Sequence, residues 1–148
     1  MERLGYHQLL EPQSELNHEW LIDVAHNPAA AEVLAKTLAS RESPGATYAI
    51  VGLLHDKDVA GVIGPLVEHV DNWIVITAAS HRAIPANELA RQISNISGKA
   101  CLIAESPLDA IEFARRSASE NDRILATGSF FTVGPILDQL RTKSRSKT

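Results

Sequence analysis

The chain has 148 residues, a hydrophobic fraction of 45% and a formal net charge of −4 at pH 7. This length fits one domain with a substantial core, and the acidic balance argues against nucleic acid as a partner. The single cysteine excludes a disulfide framework and a cysteine-based zinc site. No apolar run approaches the roughly 20 residues that span a bilayer and the first residues lack a signal-peptide pattern, so we expect a cytoplasmic protein without a membrane partner.

The first half of the chain alternates short apolar strands with helical patterns. Ser43-Pro44-Gly45 breaks the first helical pattern, and Gly61, Gly64 and Pro65 weaken the second. The elements predicted here are, in order, strands over residues 6–10 and 19–24, a helix over 29–40, a strand over 48–53 and a helix over 59–70.

The second half continues this alternation, and several residues mark helix ends. Pro85 suits the first turn of a helix, Gly98 the position beyond its end, and Ser106-Pro107 a helix start. The basic, polar segment 141–148 predicts a disordered tail. The elements predicted here are, in order, a strand over 73–77, a helix over 85–96, a strand over 100–104, a helix from Ser106-Pro107 through 116, a strand over 123–127 and a helix over 131–140.

The strands are nearly continuous apolar runs, such as Trp73-Ile-Val-Ile76. Strands that are buried on both faces have this composition, and parallel sheets are buried on both faces. Since helices separate successive strands, residues 1–140 are predicted to form an α/β, doubly wound, Rossmann-like three-layer domain with about six mostly parallel strands. No crossover helix precedes the second strand, so the first strand should lie antiparallel at an edge.

Polar residues follow the predicted strands at their carboxyl ends, where open α/β sheets bind ligands. Asp23, His26 and Asn27 follow one strand, Lys57 follows the next, and Ser129 follows the last. Asn27 precedes Pro28 at a predicted helix start, so an anion there would face free N–H groups and the positive end of a helix dipole. We therefore predict one polar rim, with Asp23, His55, Arg82 and Ser129 along the same edge of the sheet.

Each of these residues also has a structural interpretation. Asp58 suits the N-cap of the helix that begins at Val59, and Ser129 could cap the last helix. Lys57 could be a solvated loop residue, and His26 and His55 could be structural. No third ligand has the spacing of a metal site, so none is predicted.

Several catalytic motifs are absent from the sequence. It has no phosphate-binding loop, no dinucleotide fingerprint, no nucleophile elbow and no zinc-protease helix. The residues alone therefore predict only an α/β domain whose polar rim binds a nucleotide or an acidic small molecule.

Three segments resemble the C-terminal domain of the bifunctional folylpolyglutamate synthase/dihydrofolate synthase family, in the Mur ligase superfamily. They are Asp23-Val-Ala-His-Asn-Pro28, Val51-Gly-Leu-Leu-His-Asp-Lys-Asp58 and Thr127-Gly-Ser-Phe130. Their order, spacing and strand context agree over nearly the whole chain. Phe131 departs from the family, in which histidine is frequent at this position, so no polar role is expected there.

The resemblance implies an ATP-dependent amide ligase. Such enzymes phosphorylate a carboxylate of dihydropteroate or a folate, and the amino group of L-glutamate attacks the acyl phosphate. The phosphate loop, the Mg²⁺ ligands and much of the pterin site belong to N-terminal and central domains, which this chain would need as partners. An isolated chain is therefore expected to fold without catalysing ligation.

The resemblance also implies roles for individual residues. His26 should lie near the phosphates or the incoming glutamate, and Lys57 near the acyl phosphate or the domain interface. The remaining roles are nucleotide contacts by Asp23 and Arg3, and substrate contacts by Ser129 and Asn27. Two rival hypotheses stay open, namely a stand-alone module that binds a nucleotide or acidic metabolite without catalysis, and a purely structural interaction domain.

Overall fold

A computed structural model of the protein describes residues 7–10, 18–41 and 45–146. In this part of the chain, no helix is both long enough and apolar enough to cross a membrane. The elements in chain order are β1 (His7–Leu10), β2 (Glu19–Asp23), α1 (Pro28–Ser40), β3 (Thr47–Gly52), α2 (Val59–Ile63), a 3₁₀ helix (Gly64–His69), β4 (Asn72–Val75), α3 (Ala86–Ser97), β5 (Cys101–Ile103), α4 (Pro107–Ser117), β6 (Arg123–Gly128) and α5 (Phe130–Ser146).

One six-stranded sheet organises the fold, with the strand order β1-β2-β6-β3-β4-β5. Strands β2 to β6 pair in parallel, and β1 pairs antiparallel with β2 at the edge. The predicted mostly parallel sheet with an antiparallel edge strand is therefore confirmed. The last strand, β6, lies between β2 and β3 and joins the two halves of the sheet.

The sheet is covered on both faces by apolar side chains. Leu21 and Leu125 face the side of α1, α2 and α3, whereas Trp20 and Ile124 face the side of α4 and α5. Neighbouring residues of a strand point to opposite faces, so both sets must be apolar when helices cover both sides. This is the physical reason for the continuous apolar runs in the sequence.

Side-chain caps begin three helices at the positions that the sequence predicts. Asn27 Oδ1 accepts the Ala30 N–H at 2.8 Å, and Asp58 Oδ1 accepts the Gly61 N–H at 2.9 Å. Ser106 caps α4 in the same way. These bonds satisfy N–H groups that have no partner within the helix.

Two predicted elements are wrong in their extent. The helix predicted over 59–70 ends at Ile63 and continues as a 3₁₀ helix, because Pro65 has no N–H to donate to the preceding turn. In the predicted disordered tail, α5 continues to Ser146, so helix replaces disorder up to that residue. Lys147 and Thr148 lie outside the described residues.

The amino edge of the sheet is closed around Arg123, which is only 6% exposed. Its Nε donates to Thr47 Oγ1 at 2.7 Å, and its Nη atoms donate to the carbonyls of Leu38 and Arg41 at the end of α1. Burial lowers the pKa of Arg123 from its ordinary value. The guanidinium thus joins β6, β3 and α1.

Candidate functional site

The candidate site lies at the carboxyl edge of the sheet, where β2, β6 and β3 end side by side. Asp23 pairs in register with Thr127, and Gly52 with Gly128. Ser129 follows directly. Asp23 and Ser129 therefore lie at the same edge, as predicted.

Two glycines allow β3 and β6 to approach closely at this edge. Gly128 has φ +114°, and a Cβ atom there would lie 2.2 Å from the Gly52 carbonyl oxygen. That oxygen accepts hydrogen bonds from the Ser129 N–H and from Thr132 Oγ1, both at 3.0 Å. The start of α5, and with it Ser129, is thereby attached to the end of β3.

A pocket of ≈ 150 Å³ opens at this edge, and we call it the edge pocket. It combines the ends of β2, β3 and β6, which are far apart in the sequence. Three of its lining residues are polar and three are apolar. They are His26, Leu54, Lys57, Ser129, Phe130 and Phe131.

The polar lining of the edge pocket is only partly hydrogen-bonded. Among the described residues, Lys57 has no ion pair or side-chain hydrogen bond, and the buried His26 Nδ1 has no partner. Ser129 is 4% exposed, and its Oγ accepts the Phe131 N–H at 2.9 Å. A hydroxyl that accepts one bond can still donate its proton. The pocket therefore offers an ammonium, a hydroxyl donor and an imidazole to an anionic ligand.

Two exposed phenylalanines form much of the apolar wall. Phe130 is 62% exposed and Phe131 44%, and their rings meet edge to face with centroids 6.3 Å apart. Large exposed apolar groups beside a pocket indicate contact with a ligand or another domain. Phe130 and Leu54 were not predicted as site residues; the only signal was their position within the segments Thr127–Phe130 and Val51–Asp58.

The loop that carries Lys57 is attached to the loop after β4. Leu54 and Ala83 form an antiparallel bridge, and the His55 N–H donates to the Arg82 carbonyl at 2.8 Å. His55 and Arg82 therefore lie at the predicted edge, although neither lines the edge pocket.

A proline within α5 explains how the loop after β4 joins the last helix. Pro135 has no N–H, so it cannot bond the carbonyl of Phe131 one turn earlier. That carbonyl instead accepts the Ala79 N–H at 3.0 Å. The loops after β3 and β4 and the start of α5 are thus bonded to one another through backbone groups.

A larger cavity of ≈ 440 Å³ lies elsewhere, near the amino ends of β3, β4 and β5. Tyr48 and Phe113 are among its lining residues, and none of the residues that line it carries a charge. Size alone therefore does not identify the site, and neither does charge, since a cavity of ≈ 210 Å³ is lined by His18, Glu112, Arg115 and Arg116. We base the choice on the meeting of three strand ends at the edge pocket and on the Lys57 ammonium, which has no ion pair within the described part of the chain.

Comparison with known proteins assigns the family. Residues 10–130 match the family described as Mur ligase, glutamate ligase domain. The chain belongs to this family. The match confirms the resemblance that the three sequence segments indicated.

The named relatives of this Mur ligase domain are folate enzymes. The dihydrofolate synthase/folylpolyglutamate synthase of Escherichia coli (strain K12) is 35% identical over 118 residues, which cover 80% of this chain and 27% of that protein. The corresponding protein of Buchnera aphidicola subsp. Baizongia pistaciae (strain Bp) is 34% identical over 113 residues, covering 76% of this chain and 26% of that protein. The chain thus spans about a quarter of the length of these relatives.

Solved structures of folylpolyglutamate synthase/dihydrofolate synthases contain a domain with the same fold. A structure of E. coli FolC in complex with DHPP and ADP has a TM-score of 0.83 and 29% identity, covering 94% of this chain and 31% of that chain. A bifunctional folylpolyglutamate synthase/dihydrofolate synthase with Mn, AMPPNP and L-glutamate bound has a TM-score of 0.81 and 30% identity, covering 95% and 32%. The fold assigned from the sequence is confirmed by both.

The Mur ligase domain brings three of the six predicted site residues into the edge pocket, namely His26, Lys57 and Ser129. Asn27 lies next to His26, but its Oδ1 is engaged as the cap of α1. Asp23 is at the end of β2, is 3% exposed and does not line the pocket. Arg3 lies outside the described residues, so its predicted role is not tested.

Asp23 has a polar neighbour that sequence analysis missed. Thr127, its partner in register on β6, is fully buried, and its Oγ1 has no hydrogen-bond partner among the described residues. Buried hydroxyls normally have a partner. An unpartnered hydroxyl beside a carboxylate marks this position as a further candidate ligand contact.

The described residues contain no group of three or more His, Cys, Asp or Glu side chains that could hold a metal ion. A lysine and a serine hydroxyl dominate the polar lining of the edge pocket. Hard divalent cations prefer carboxylate and carbonyl oxygens. The edge pocket therefore fits an anion better than a metal ion.

Proposed function

We propose that this chain is the C-terminal, glutamate- and nucleotide-contacting domain of an ATP-dependent ligase that adds L-glutamate to dihydropteroate or folates through an acyl phosphate. The observation that carries the proposal is the edge pocket, where an ammonium, a hydroxyl and an imidazole converge in a Mur ligase domain. The ligands named for similar structures, DHPP, ADP and L-glutamate, support these substrates.

Lys57 and Ser129 are proposed to hold a carboxylate of L-glutamate. The ammonium attracts the negative charge, and the hydroxyl donates a hydrogen bond to one oxygen. Leu54 and Phe131 offer apolar surface to the methylene groups of the amino acid. Asn27, at the start of α1, adds the positive end of a helix dipole near an anion.

His26 is proposed to take the proton that the amino group must lose. Glutamate attacks only as the neutral amine, because an ammonium nitrogen has no lone pair. The nitrogen bonds to the acyl carbon, inorganic phosphate leaves with the electron pair of the broken C–O bond, and the proton passes to the imidazole. Lys57 would also stabilise negative charge that develops on the phosphate side.

The nucleotide contact is assigned to Asp23. An ionised carboxylate accepts hydrogen bonds from ribose hydroxyls, and the unpartnered Thr127 hydroxyl beside it suits the same polar group. Arg3 is proposed as a second ATP contact. Bound Mg²⁺ would neutralise charge on the transferred phosphoryl group, and we propose that its ligands belong mainly to the rest of the ligase.

The proposed partners are ATP, L-glutamate, a dihydropteroate or folate, and the N-terminal and central domains of the ligase. We also propose a cytoplasmic location, because the reaction consumes ATP and the chain relies on no disulfide.

A chimeric ligase tests the proposal. It joins this chain to the part of the E. coli relative that the chain does not cover. We expect glutamate-dependent ADP formation from the chimera with dihydropteroate, and background rates from this chain alone because its sequence has no phosphate-binding loop. Lys57→Met should remove most of this activity, whereas the matched control Lys36→Met, on the exposed face of α1, should not.

The alternative function is a stand-alone module that binds a nucleotide or acidic metabolite without catalysis. The edge pocket supports it, since the described residues alone offer a cation to an anion. A folded chimera without turnover, together with L-glutamate binding by this chain, would favour the module. Substantial glutamate-dependent turnover by this chain alone would contradict the ligase-domain proposal.

A further inference from the structure

Lys57 lies between two carboxylates in the sequence, Asp56 and Asp58, yet it pairs with neither. Asp58 is engaged as the cap of α2 through its bond with the Gly61 N–H. Asp56 Oδ2 accepts a hydrogen bond from Arg82 Nη2 at 2.8 Å. Both neighbouring carboxylates therefore have other partners, while Lys57 lines the edge pocket.

The backbone holds Arg82 opposite Asp56. The Leu54–Ala83 bridge and the bond from the His55 N–H to the Arg82 carbonyl align the two loops. The two charged residues are 26 positions apart in the sequence, so their pairing depends on this loop contact.

A carboxylate released from Arg82 would compete for Lys57. Adjacent Cα atoms are about 3.8 Å apart, and the four-carbon stem of lysine is flexible. Asp56 without Arg82 would thus be an anion within reach of Lys57, the lysine that lines the edge pocket.

We propose that Arg82 is a positioning residue that keeps the Lys57 ammonium available to the substrate carboxylate by holding Asp56 away from it. The inference rests on the proposed function, in which Lys57 binds a carboxylate of L-glutamate. Arg82 does not line the edge pocket, and it would act only through its ion-pair partner Asp56.

The exposure of the Arg82–Asp56 ion pair supports a role other than stabilising the fold. Both side chains are 54% exposed, and exposed ion pairs contribute little to stability. Arg91 and Glu88 form a matched pair on α3, also 2.8 Å long, with exposures of 62% and 43%. Neither residue lines the edge pocket, so this pair serves as the control.

The first test measures the KM for L-glutamate and kcat in the chimeric ligase. Arg82→Met should raise the KM roughly fivefold, the effect of about one competing exposed ion pair, with kcat nearly unchanged. The double variant Arg82→Met/Asp56→Asn should restore the KM, because the competing charge is gone. Asp56→Asn alone and Arg91→Met should resemble the wild type. A double variant as impaired as Arg82→Met would overturn the inference, since Arg82 would then act directly.

The second test needs no ligand and uses this chain alone. Trace acetylation with acetic anhydride, read by mass spectrometry, compares the reactivity of Lys57 with that of Lys36. Labelling of Lys57 should fall in Arg82→Met and recover in the double variant. Unchanged labelling in Arg82→Met would overturn the inference. A chimeric ligase whose activity does not depend on L-glutamate would instead refute the proposed function. The labelling result would still decide the role of Arg82.

Discussion

The two edges of the parallel sheet differ in how their charged side chains are engaged. At the amino edge, Arg123 donates to three oxygens. Asp71 accepts the Thr47 N–H at 2.8 Å, and Asp122 accepts the Ala46 N–H at 2.7 Å. At the carboxyl edge, the ammonium of Lys57 has no ion pair or side-chain hydrogen bond among the described residues. In the described part of the chain, buried polar atoms without a partner occur at both edges, namely His26 Nδ1 and Thr127 Oγ1 at the carboxyl edge, and His18 Nδ1 and the indole nitrogens of Trp20 and Trp73 at the amino edge.

The difference between the charged side chains separates structural charged groups from candidate ligand contacts. A missing hydrogen-bond partner does not by itself distinguish the edges, because such atoms occur at both. The charged groups at the amino edge are engaged by protein partners. Lys57 at the carboxyl edge keeps a charge that a ligand can use, and the site motifs of the Mur ligase family lie there.

Removing the Arg123 hydrogen bonds at the amino edge should give the largest effect, a loss of stability. Arg123→Met leaves the carbonyls of Leu38 and Arg41 and the hydroxyl of Thr47 without their donor, so we expect a loss of about 3 kcal/mol or more in the free energy of unfolding. Urea denaturation measures it. Arg91→Met, which removes an exposed arginine, should change stability by less than about 0.5 kcal/mol. A similar small change for both variants would refute the structural assignment of the amino edge.

Asp23→Asn tests the nucleotide contact at the carboxyl edge. The change keeps the size of the side chain but removes its charge. Loss of a charged hydrogen bond costs about 1.5–3 kcal/mol, so the KM for ATP in the chimeric ligase should rise roughly ten- to a hundredfold. Asp23 is buried and has an interaction within the chain, so the melting temperature should also fall, and the KM is measured well below it. A lower melting temperature with an unchanged KM would make Asp23 a structural carboxylate.

Ser129→Ala should weaken the binding of L-glutamate, so that its KM rises by about tenfold, and should leave the KM for ATP unchanged. The variant also loses the bond that Ser129 Oγ accepts from the Phe131 N–H, so about 1 kcal/mol of stability should be lost. Ser106→Ala is the matched control, because it removes the cap of α4 away from the edge pocket. Both KM values should stay normal in the control. If Ser129→Ala behaves like the control, Ser129 is only a cap.

The smallest expected effect is a change in stability with pH that is caused by Tyr48 at the amino edge. Burial raises the pKa of Tyr48 above its ordinary value of 10.0, and the charges of Asp122 and Asp71 raise it further. The folded chain thus holds the phenolic proton more tightly than the unfolded chain. This stabilisation is complete below the unfolded pKa and is lost as the pH rises through the folded pKa.

Tyr48→Phe removes this titration together with the bond to the Ser117 carbonyl. The stability of the wild type relative to the variant should therefore decline as the pH rises above about 10. Urea denaturation at a series of alkaline pH values measures the difference. A constant difference would mean that the environment of Tyr48 does not favour its protonated form.

The local features of the fold could be predicted from the sequence. Asn27, Asp58 and Ser106 cap their helices through bonds that span only three residues, so neighbouring residues contain the required information. The apolar runs predicted strands that are covered on both faces. The antiparallel edge strand followed from the missing crossover helix. The helix predicted over 59–70 was wrong in its extent because Pro65 lacks the N–H that an α-helix needs. The segment predicted as a disordered tail instead continues α5 as far as Ser146.

For the site, the sequence by itself named Asp23, His26, Lys57 and Ser129 as candidates, because motif and strand-end position are local features. The tertiary structure alone decided which of them meet. Insertion of β6 between β2 and β3 places Ser129 on the Gly52 carbonyl. The pairing of Arg82 with Asp56, the exposure of Phe130 and the three acceptors of Arg123 likewise arise from contacts between distant segments. Such contacts depend on strand order and loop closure, whose energies are distributed over the whole domain and leave no local pattern in the sequence.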